Sequence, residues 1–553
     1  MNGLVVMLIA IVVLGAGYLI YGRWLAKTWG IDPEAKTPAY ELRDGVDYEP
    51  ADTQVVFGHQ FASIAGAGPI NGPIQAAVFG WVPVLLWLLI GGVFFGAVQD
   101  FAAMYASVKN KGRTIGYIIE QYIGKFGKKL FLLFCWLFCI LVVAAFADVV
   151  DGTFMGFAED GSKIIANGSV AMTSVLFIFE AVVLGFILKY AKLGKAVNTA
   201  LAVVLLVAGV VIGLNFPIFI DKGTWQIIVF LYIAIASITP VWALLQPRDY
   251  LNSYLLVIMI LMAVIGVIVT NPSINLPAFT SFYIEGTGTM FPILFVTIAC
   301  GAVSGFHSLV ASGTASKQIN NEKAMLPVSY GAMVLESLLG VISLIAVASF
   351  ATGAAAEAGY NTPPQIFAGA VANFLSELGL PHNVIFTLIN LSVSAFALTS
   401  LDSVARIGRL SFQELFLDSD IKDEEMPLWR KVVTNKYFAT FMTLIFAYIL
   451  AKAGYKNIWP LFGSANQLLS ALALIACAVY LKRTNRKGWM LWLPMIIMLG
   501  VTMTALVQRI LALVKDLTAG NILQLAFAVS LMILGLIVAV EGLKKLVLNE
   551  EIA

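Results

Sequence analysis

Charge is scarce in this chain. Asp, Glu, Lys and Arg make up 12% of its 553 residues, about half of the roughly 25% usual in soluble domains. Hydrophobic residues make up 60%, and the mean hydropathy is +0.90. A soluble chain of this size needs a far more charged surface, so the solvent implied is lipid. Three histidines are too few and too scattered for a zinc site. The four cysteines, Cys135, Cys139, Cys300 and Cys477, all lie in apolar stretches, which points to packed membrane thiols rather than disulfides or metal ligands. No P-loop is present, so ATP does not drive this chain, and neither H-E-x-x-H nor G-x-S-x-G occurs. The longest soluble stretches, 23–54, 352–383 and 402–436, are short of a catalytic domain. These absences speak against an enzyme and imply no cofactor. A pore filter repeated around an axis is also missing, which speaks against a channel.

What is present is a succession of fifteen apolar stretches: 3–22, 55–78, 81–107, 128–148, 172–188, 196–215, 225–245, 251–270, 291–312, 327–351, 384–401, 437–451, 460–481, 488–508 and 522–543. Lysines and arginines crowd into every second gap. With the first gap placed in the cytoplasm, only Lys163, Lys222, Lys452, Lys456, Arg509 and Lys515 of the 34 fall outside. Retention of basic residues on the cytoplasmic side is the known bias of inner-membrane proteins. The expectation is an all-α polytopic protein of the cell inner (cytoplasmic) membrane, N-terminus outside and C-terminus cytoplasmic. The first stretch lacks a cleavage site and runs straight into Arg23 and Lys27, so it reads as a retained helix. Residues 23–54 read as a solvated acidic linker with a short amphipathic turn.

Two stretches cannot be ordinary helices. The second packs Gly66, Gly68, Pro69, Gly72 and Pro73 into eight residues and carries the polar His59, Ser63 and Asn71. The ninth carries Gly301, Ser304, Gly305, His307 and Ser308. Close helix packing on small residues is the plain alternative, but two prolines with flanking glycines break a hydrogen-bond ladder over a whole turn. In hydrocarbon such breaks occur only where protein or a cavity covers them. The charge alternation sends the second stretch outward and the ninth inward. Two interrupted helices of opposite direction are what an inverted-repeat secondary transporter places at its substrate site. The chain then forms one integral membrane domain, with 55–215 and 291–481 as five-helix repeats, 216–290 inserted, and 1–54 and 482–553 peripheral.

Ionisable groups at bilayer depth are costly and usually functional. Asp100, Glu180, Glu336 and His307 are the proton-coupling candidates, because a coupled carrier needs a carboxylate or imidazole that changes protonation. Glu180 and Glu336 also read as structural acids bonded to nearby backbone or serine groups. Asp402 and Arg406, four residues apart, and Arg248 beside Asp249 are gate candidates, with interfacial ion pairing as the simpler reading. Asp148 and Asp151, at the end of their helix, read as solvated, and Glu541 as interfacial. Asn466, one turn inside an apolar stretch, joins the substrate-site candidates.

Five long motifs resemble the carbon starvation protein A (CstA) family of membrane transporters. They are Val56-Phe-Gly-His-Gln-Phe-Ala-Ser-Ile-Ala-Gly-Ala-Gly-Pro69, Gly96-Ala-Val-Gln-Asp-Phe101, Pro240-Val-Trp-Ala-Leu-Leu-Gln-Pro-Arg-Asp-Tyr250, Phe295-Val-Thr-Ile-Ala-Cys-Gly-Ala-Val-Ser-Gly-Phe-His307 and Trp459-Pro-Leu-Phe-Gly-Ser-Ala-Asn-Gln467. The first departs from the family's usual Gly-His-His at Gln60. The resemblance implies kinship with the amino acid–polyamine–organocation superfamily and its five-plus-five repeats. It also implies a carrier used on carbon starvation, importing pyruvate or a like monocarboxylate with protons, or short peptides. The partners expected are that small molecule, a proton or other monovalent cation, and the bilayer, with no nucleic acid. A membrane nutrient sensor and an intramembrane hydrolase are the rival classes. The short inner tail carries no signalling domain, and the nucleophile–base pairs of a hydrolase are missing.

Overall fold

A computed structural model describes residues 1–44, 48–158, 160–191, 194–239, 244–417 and 427–547. Pro240, Val241, Trp242 and Ala243 of the third motif, and Asp47 of the acidic stretch, lie outside them. The described residues are mostly helical; their one sheet is the hairpin β1 (Tyr283–Ile284) and β2 (Gly288–Thr289). Among the described residues, 11 helices are long and apolar enough to cross a membrane, and two shorter apolar helices accompany them. This is a multi-pass membrane protein.

In chain order the helices that matter here begin with α1 (Gly3–Trp29), α2 (Thr53–Ile64), α3 (Gly68–Ala76), α4 (Trp81–Lys109) and α5 (Lys125–Phe154). They continue with α6 (Ile165–Tyr190), α7 (Lys195–Asn215), α8 (Lys222–Ile238) and α9 (Leu245–Thr270). After the hairpin come α10 (Met290–Thr297), α11 (Ala299–Ala302), α12 (Gly305–Gly313) and α13 (Glu322–Ala348). The last are α14 (Pro363–Ser376), α15 (His382–Phe416), α16 (Lys436–Ala451), α17 (Tyr455–Arg483), α18 (Trp492–Val514) and α19 (Ala519–Val547). Their starts follow local chemistry. Thr362 and Gln365 form a reciprocal capping box at α14. Asp221 accepts the Thr224 amide at 2.8 Å ahead of α8, and that bond holds its carboxyl below the usual carboxylate range.

The chain divides into two compact units. One comprises Met1–Leu4, Cys139–Leu276 and Ile345–Tyr455; the other comprises Val5–Phe138, Pro277–Leu344 and Lys456–Ala553. In the first, Ala181, Leu184, Ala202, Ala236 and Leu251 form a buried cluster among α6, α7, α8 and α9. In the second, α17 is buried along its whole apolar window. A helix with no lipid-facing side can carry polar residues, provided each finds a partner.

Three expectations about the soluble stretches need correction. The stretch 352–383 contains the largely buried helix α14, and 402–436 begins with the last turns of α15, where Asp402 is wholly buried. Among its described residues, 23–54 is not a free linker, because α1 runs on to the buried Trp29 and both Asp32 and Ala51 bond residues of the same unit. Glu322 accepts the amide of Asp32 at 2.8 Å and the ammonium of Lys109 at 2.5 Å, and Ala51 bonds Gln318. Periodicity alone did not show these tertiary bonds.

Candidate functional site

Both interrupted stretches lie in the second unit. The first breaks at residues 65–67, after Ala65 leaves helical geometry at ψ 51°. The second breaks at Val303 and Ser304, both extended. Pro69 sits in the first turn of α3, where its missing N–H is harmless. The helix after the first break, α3, packs against α10 and α11 ahead of the second, and glycine makes that possible. A Cβ at Gly72 would stand 2.7 Å from the Thr297 carbonyl oxygen and 3.0 Å from Ile298 Cα. One at Gly68 would collide with the Cys300 side chain, and one at Gly305 with the backbone of Asn466 and Ser470. Gly301 faces Leu88 and, at ordinary contact distance, the Pro69 and Gly340 backbones.

Breaking a helix orphans backbone groups, and in a membrane these need donors and acceptors from the protein. For the ninth stretch they come chiefly from α17. Gln467 donates to the Phe295 carbonyl at 2.6 Å, and the Trp459 indole to that of Thr297 at 3.3 Å. The Asn466 side-chain oxygen accepts the Phe306 amide at 3.0 Å, and its amide nitrogen donates to Ser304 Oγ at 3.0 Å. Asn466 thereby does from another helix what an N-cap residue does for its own. From α4, Gln99 donates to the Ser304 carbonyl at 2.7 Å and accepts from Ser470 Oγ. Ser308 bonds back to the Gly305 carbonyl at 2.6 Å.

Beside this break stands a buried triad. His307 Nδ1 is 3.0 Å from Asp100 Oδ2, and His307 Nε2 is 3.3 Å from Glu336 Oε2; all three side chains have no exposed surface. Gln99 adds a 3.3 Å contact to Asp100 Oδ1. A neutral imidazole donates from one nitrogen only. Nδ1 is hydrogen-bonded to Asp100, while Nε2 faces the Glu336 carboxylate without a hydrogen bond among the described residues, so the cluster is either imidazolium between two carboxylates or imidazole beside one carboxylate and one carboxylic acid. Both forms carry a net charge of −1. One further proton makes the cluster neutral.

The other candidates of this unit are placed as follows. Ser63 and Asn71 are buried, and neither atom of the Asn71 amide has a hydrogen-bond partner among the described residues. His59, partly exposed, lies on α2, and Gly66 lies in the break itself. Among the described residues Glu336 has no hydrogen-bond partner, and its carboxylate approaches His307 at 3.3 Å. Gln99 and Ser470 were passed over in the sequence; the clue was a glutamine next to Asp100 inside an apolar helix.

The remaining candidates lie in the first unit. Glu180 on α6 faces Gly209 of α7, where a Cβ would come within 2.9 Å of its carboxylate. Arg248 pairs with Asp402, both buried, and Tyr232 donates to Asp402 at 2.8 Å; Asp249 is a second partner of Arg248 at 3.2 Å. The expected Asp402–Arg406 pair is thus corrected. Arg406 reaches the Ala236 and Thr239 carbonyls at the end of α8 instead, at 3.0 and 2.7 Å, and Arg409 reaches that of Ser237 at 2.6 Å. A helix C-terminus presents orphan carbonyls that attract cations, and this outcompetes a neighbour on the same helix. Asp148 and Asp151 are buried rather than solvated, Asp148 paired with Lys222 at 2.7 Å.

A model of the family described as carbon starvation protein CstA matches residues 2–358 and 351–505. The chain is 31% identical to the peptide transporter CstA of Bacillus subtilis (strain 168), covering 99% of this chain and 97% of that one. It is 29% identical to the peptide transporter CstA of Escherichia coli (strain K12), covering 91% and 80%. It is 30% identical to the pyruvate/proton symporter BtsT of the same organism, covering 88% and 79%. Among solved structures, the Eremococcus coleocola manganese transporter in complex with an aromatic bis-isothiourea substituted compound aligns over 91% of this chain and 99% of its own. The TM-score is 0.51 at 12% identity, which shows likeness of fold alone.

Proposed function

The chain belongs to the carbon starvation protein CstA family, and from that premise we propose that it is a secondary active transporter importing a small organic anion such as pyruvate by proton symport. It works in the cell inner membrane, N-terminus outside and C-terminus cytoplasmic, with fifteen spans. Residues 55–215 and 291–481 form inverted five-helix repeats around the two interrupted stretches, 216–290 are inserted, and 1–54 and 482–553 are peripheral. The substrate meets His59, Ser63, Gly66, Gly68, Asn71, Gly301, Ser304, Gly305, Ser308 and Asn466. Arg248, Asp249, Asp402 and Arg406 belong to a gate, and Glu180 is a further acid available for coupling.

The observation that supports proton coupling most is His307 held between Asp100 and Glu336 with no exposed surface. A buried net charge is expensive in a medium of low dielectric. A monocarboxylate brought beside a cluster of charge −1 meets repulsion. One proton on the cluster removes that repulsion, so anion and proton enter together and leave together. No metal or nucleotide is required for that exchange.

A second reading, import of short peptides, is supported by the relatives named peptide transporters, which match as closely as the symporter. Radiolabelled pyruvate uptake into proteoliposomes under an imposed pH gradient tests the proposal. Accumulation above equilibrium that a protonophore abolishes is the expected result. Flux indifferent to the gradient contradicts symport, and competition by di- and tripeptides but not by monocarboxylates favours the peptide reading.

A further inference from the structure

Three helices of the second unit each contain one turn wound wider than an α-helix, and the three turns nest together. They are Gly17–Gly22 in α1, Gly92–Gly96 in α4 and Leu326–Gly331 in α13. A Cβ at Gly17 would stand 2.7 Å from a Val93 methyl, one at Gly22 3.3 Å from the Tyr330 ring, and one at Gly331 3.4 Å from the Tyr18 ring. Glycines at the contacts let the turns approach this closely.

A turn of this kind inserts one residue into the helix. Everything after it is rotated by about 100° relative to an uninterrupted α-helix. In α4 the amide of Ala97 bonds the carbonyl of Gly92, five residues back, and passes over Val93. The Val93 carbonyl would be orphaned inside the membrane, which buried backbone does not tolerate. It is taken by the hydroxyl of Tyr330, which donates to it at 2.9 Å. Tyr330 is wholly buried. Asp100 comes one helical turn after the wide turn of α4, and Glu336 little more than one turn after that of α13. Both carboxylates meet the His307 ring from these two helices.

We propose that Tyr330 is a positioning residue for the two carboxylates that hold His307. Its hydroxyl locks the wide turn of α4 that aims Asp100, while the wide turn in which it sits aims Glu336. The proposal rests on the proton-coupled reading of the triad. The titratable groups facing the ring are Asp100 from α4 and Glu336 from α13. Cys300 of α11 contacts Asn466, α17 brings the neutral Asn466 and Ser470 to this break, and α2, which packs beside α12, carries His59. Tyr330 touches neither proton nor substrate. It acts by fixing where the acids point.

The test is gradient-driven pyruvate accumulation in proteoliposomes, read across external pH. Tyr330→Phe and 4-fluorophenylalanine at position 330 keep the ring and remove the donor. 4-Aminophenylalanine at the same position restores a donor of similar reach. The donor-less variants are expected to lower accumulation about fivefold and to move the half-maximal pH by about half a unit or more, with the amino variant within about twofold of wild type. If Tyr330→Phe does not purify as a folded protein, the fluoro and amino pair carries the comparison. Wild-type accumulation and midpoint in the donor-less variants overturn the positioning role. Equal loss in the amino and fluoro variants overturns it too, because packing rather than the hydrogen bond would then matter. Asp100→Asn and Glu336→Gln run alongside. A wild-type pH profile in both of those sinks the proton-coupled reading itself, whereas altered profiles there with normal Tyr330 variants sink only the role of Tyr330.

Discussion

The imidazole of His307 lies 3.0 Å from the Asp100 carboxylate, and neither side chain has any surface open to solvent. Their helices are 205 residues apart at Gln99 and Ser304, where a 2.7 Å hydrogen bond ties α4 to the break before α12. The acid on one helix and the unwound backbone of the other are therefore one structural element.

Asp100→Asn keeps the shape of the side chain and removes its charge. Gradient-driven accumulation is expected to fall about tenfold or more, while pyruvate counterflow, which needs no net proton, stays within about threefold. Paired counterflow and gradient assays check this. Full accumulation with the usual pH dependence would remove Asp100 from the coupling site.

Gly68 and Gly72 make different predictions, because their obstacles differ. Gly68→Ala collides with the Cys300 side chain, so Cys300→Gly should restore much of the lost uptake. Gly72→Ala meets the Thr297 carbonyl and Ile298 Cα, which no side-chain change can move, so its loss should persist beside Cys300→Gly. Uptake rates of the four variants and the wild type decide this, and a normal Gly72→Ala would show that α3 and α10 are not held in this contact during transport.

Asn466 caps α12 from outside. Asn466→Leu is expected to cost about 1 kcal/mol of stability, with Asn466→Thr, which keeps an accepting oxygen and adds no charge, losing less. Thermal unfolding in detergent measures the order, and the reverse order would contradict the capping role.

Arg248 and Asp402 are both buried; Arg248 keeps Asp249 as a second partner at 3.2 Å, whereas Asp402 without Arg248 loses the one cation bonded to it among the described residues. Arg248→Met, which strands the Asp402 carboxylate, is expected to destabilise its unit by about 3–5 kcal/mol, and Arg248→Met with Asp402→Leu to recover most of that. Thermal unfolding of the single and double variants reads the difference. A double variant as unstable as the single would mean that the pair is not the bond that matters.

The residues announced the breaks and the acids beside them. Gly66, Gly68, Pro69, Gly72 and Pro73 leave no continuous helix in a membrane, and Asp100, His307 and Glu336 stand out against apolar neighbours. Partner choice was not legible. Asp402 and Arg406 have ideal helical spacing, yet Arg406 goes to helix-end carbonyls and Asp402 to Arg248. Asp148 looked terminal in sequence, and only the placement of Lys222 shows it to be covered. The wide turns left no trace except glycines, since one inserted residue disturbs periodicity no more than ordinary variation does. Asn466 stood out in the sequence as a polar group in an apolar stretch, and what the sequence did not show is the two bonds its amide makes at the break.

The most direct test of the triad as the proton carrier is the number of protons taken up per pyruvate, followed with a pH indicator outside proteoliposomes as substrate is added, in the wild type and in Glu336→Gln. The wild type is expected to move about one proton per anion, and the variant to exchange pyruvate with little or no proton movement. Proton uptake in Glu336→Gln equal to that of the wild type would contradict the account.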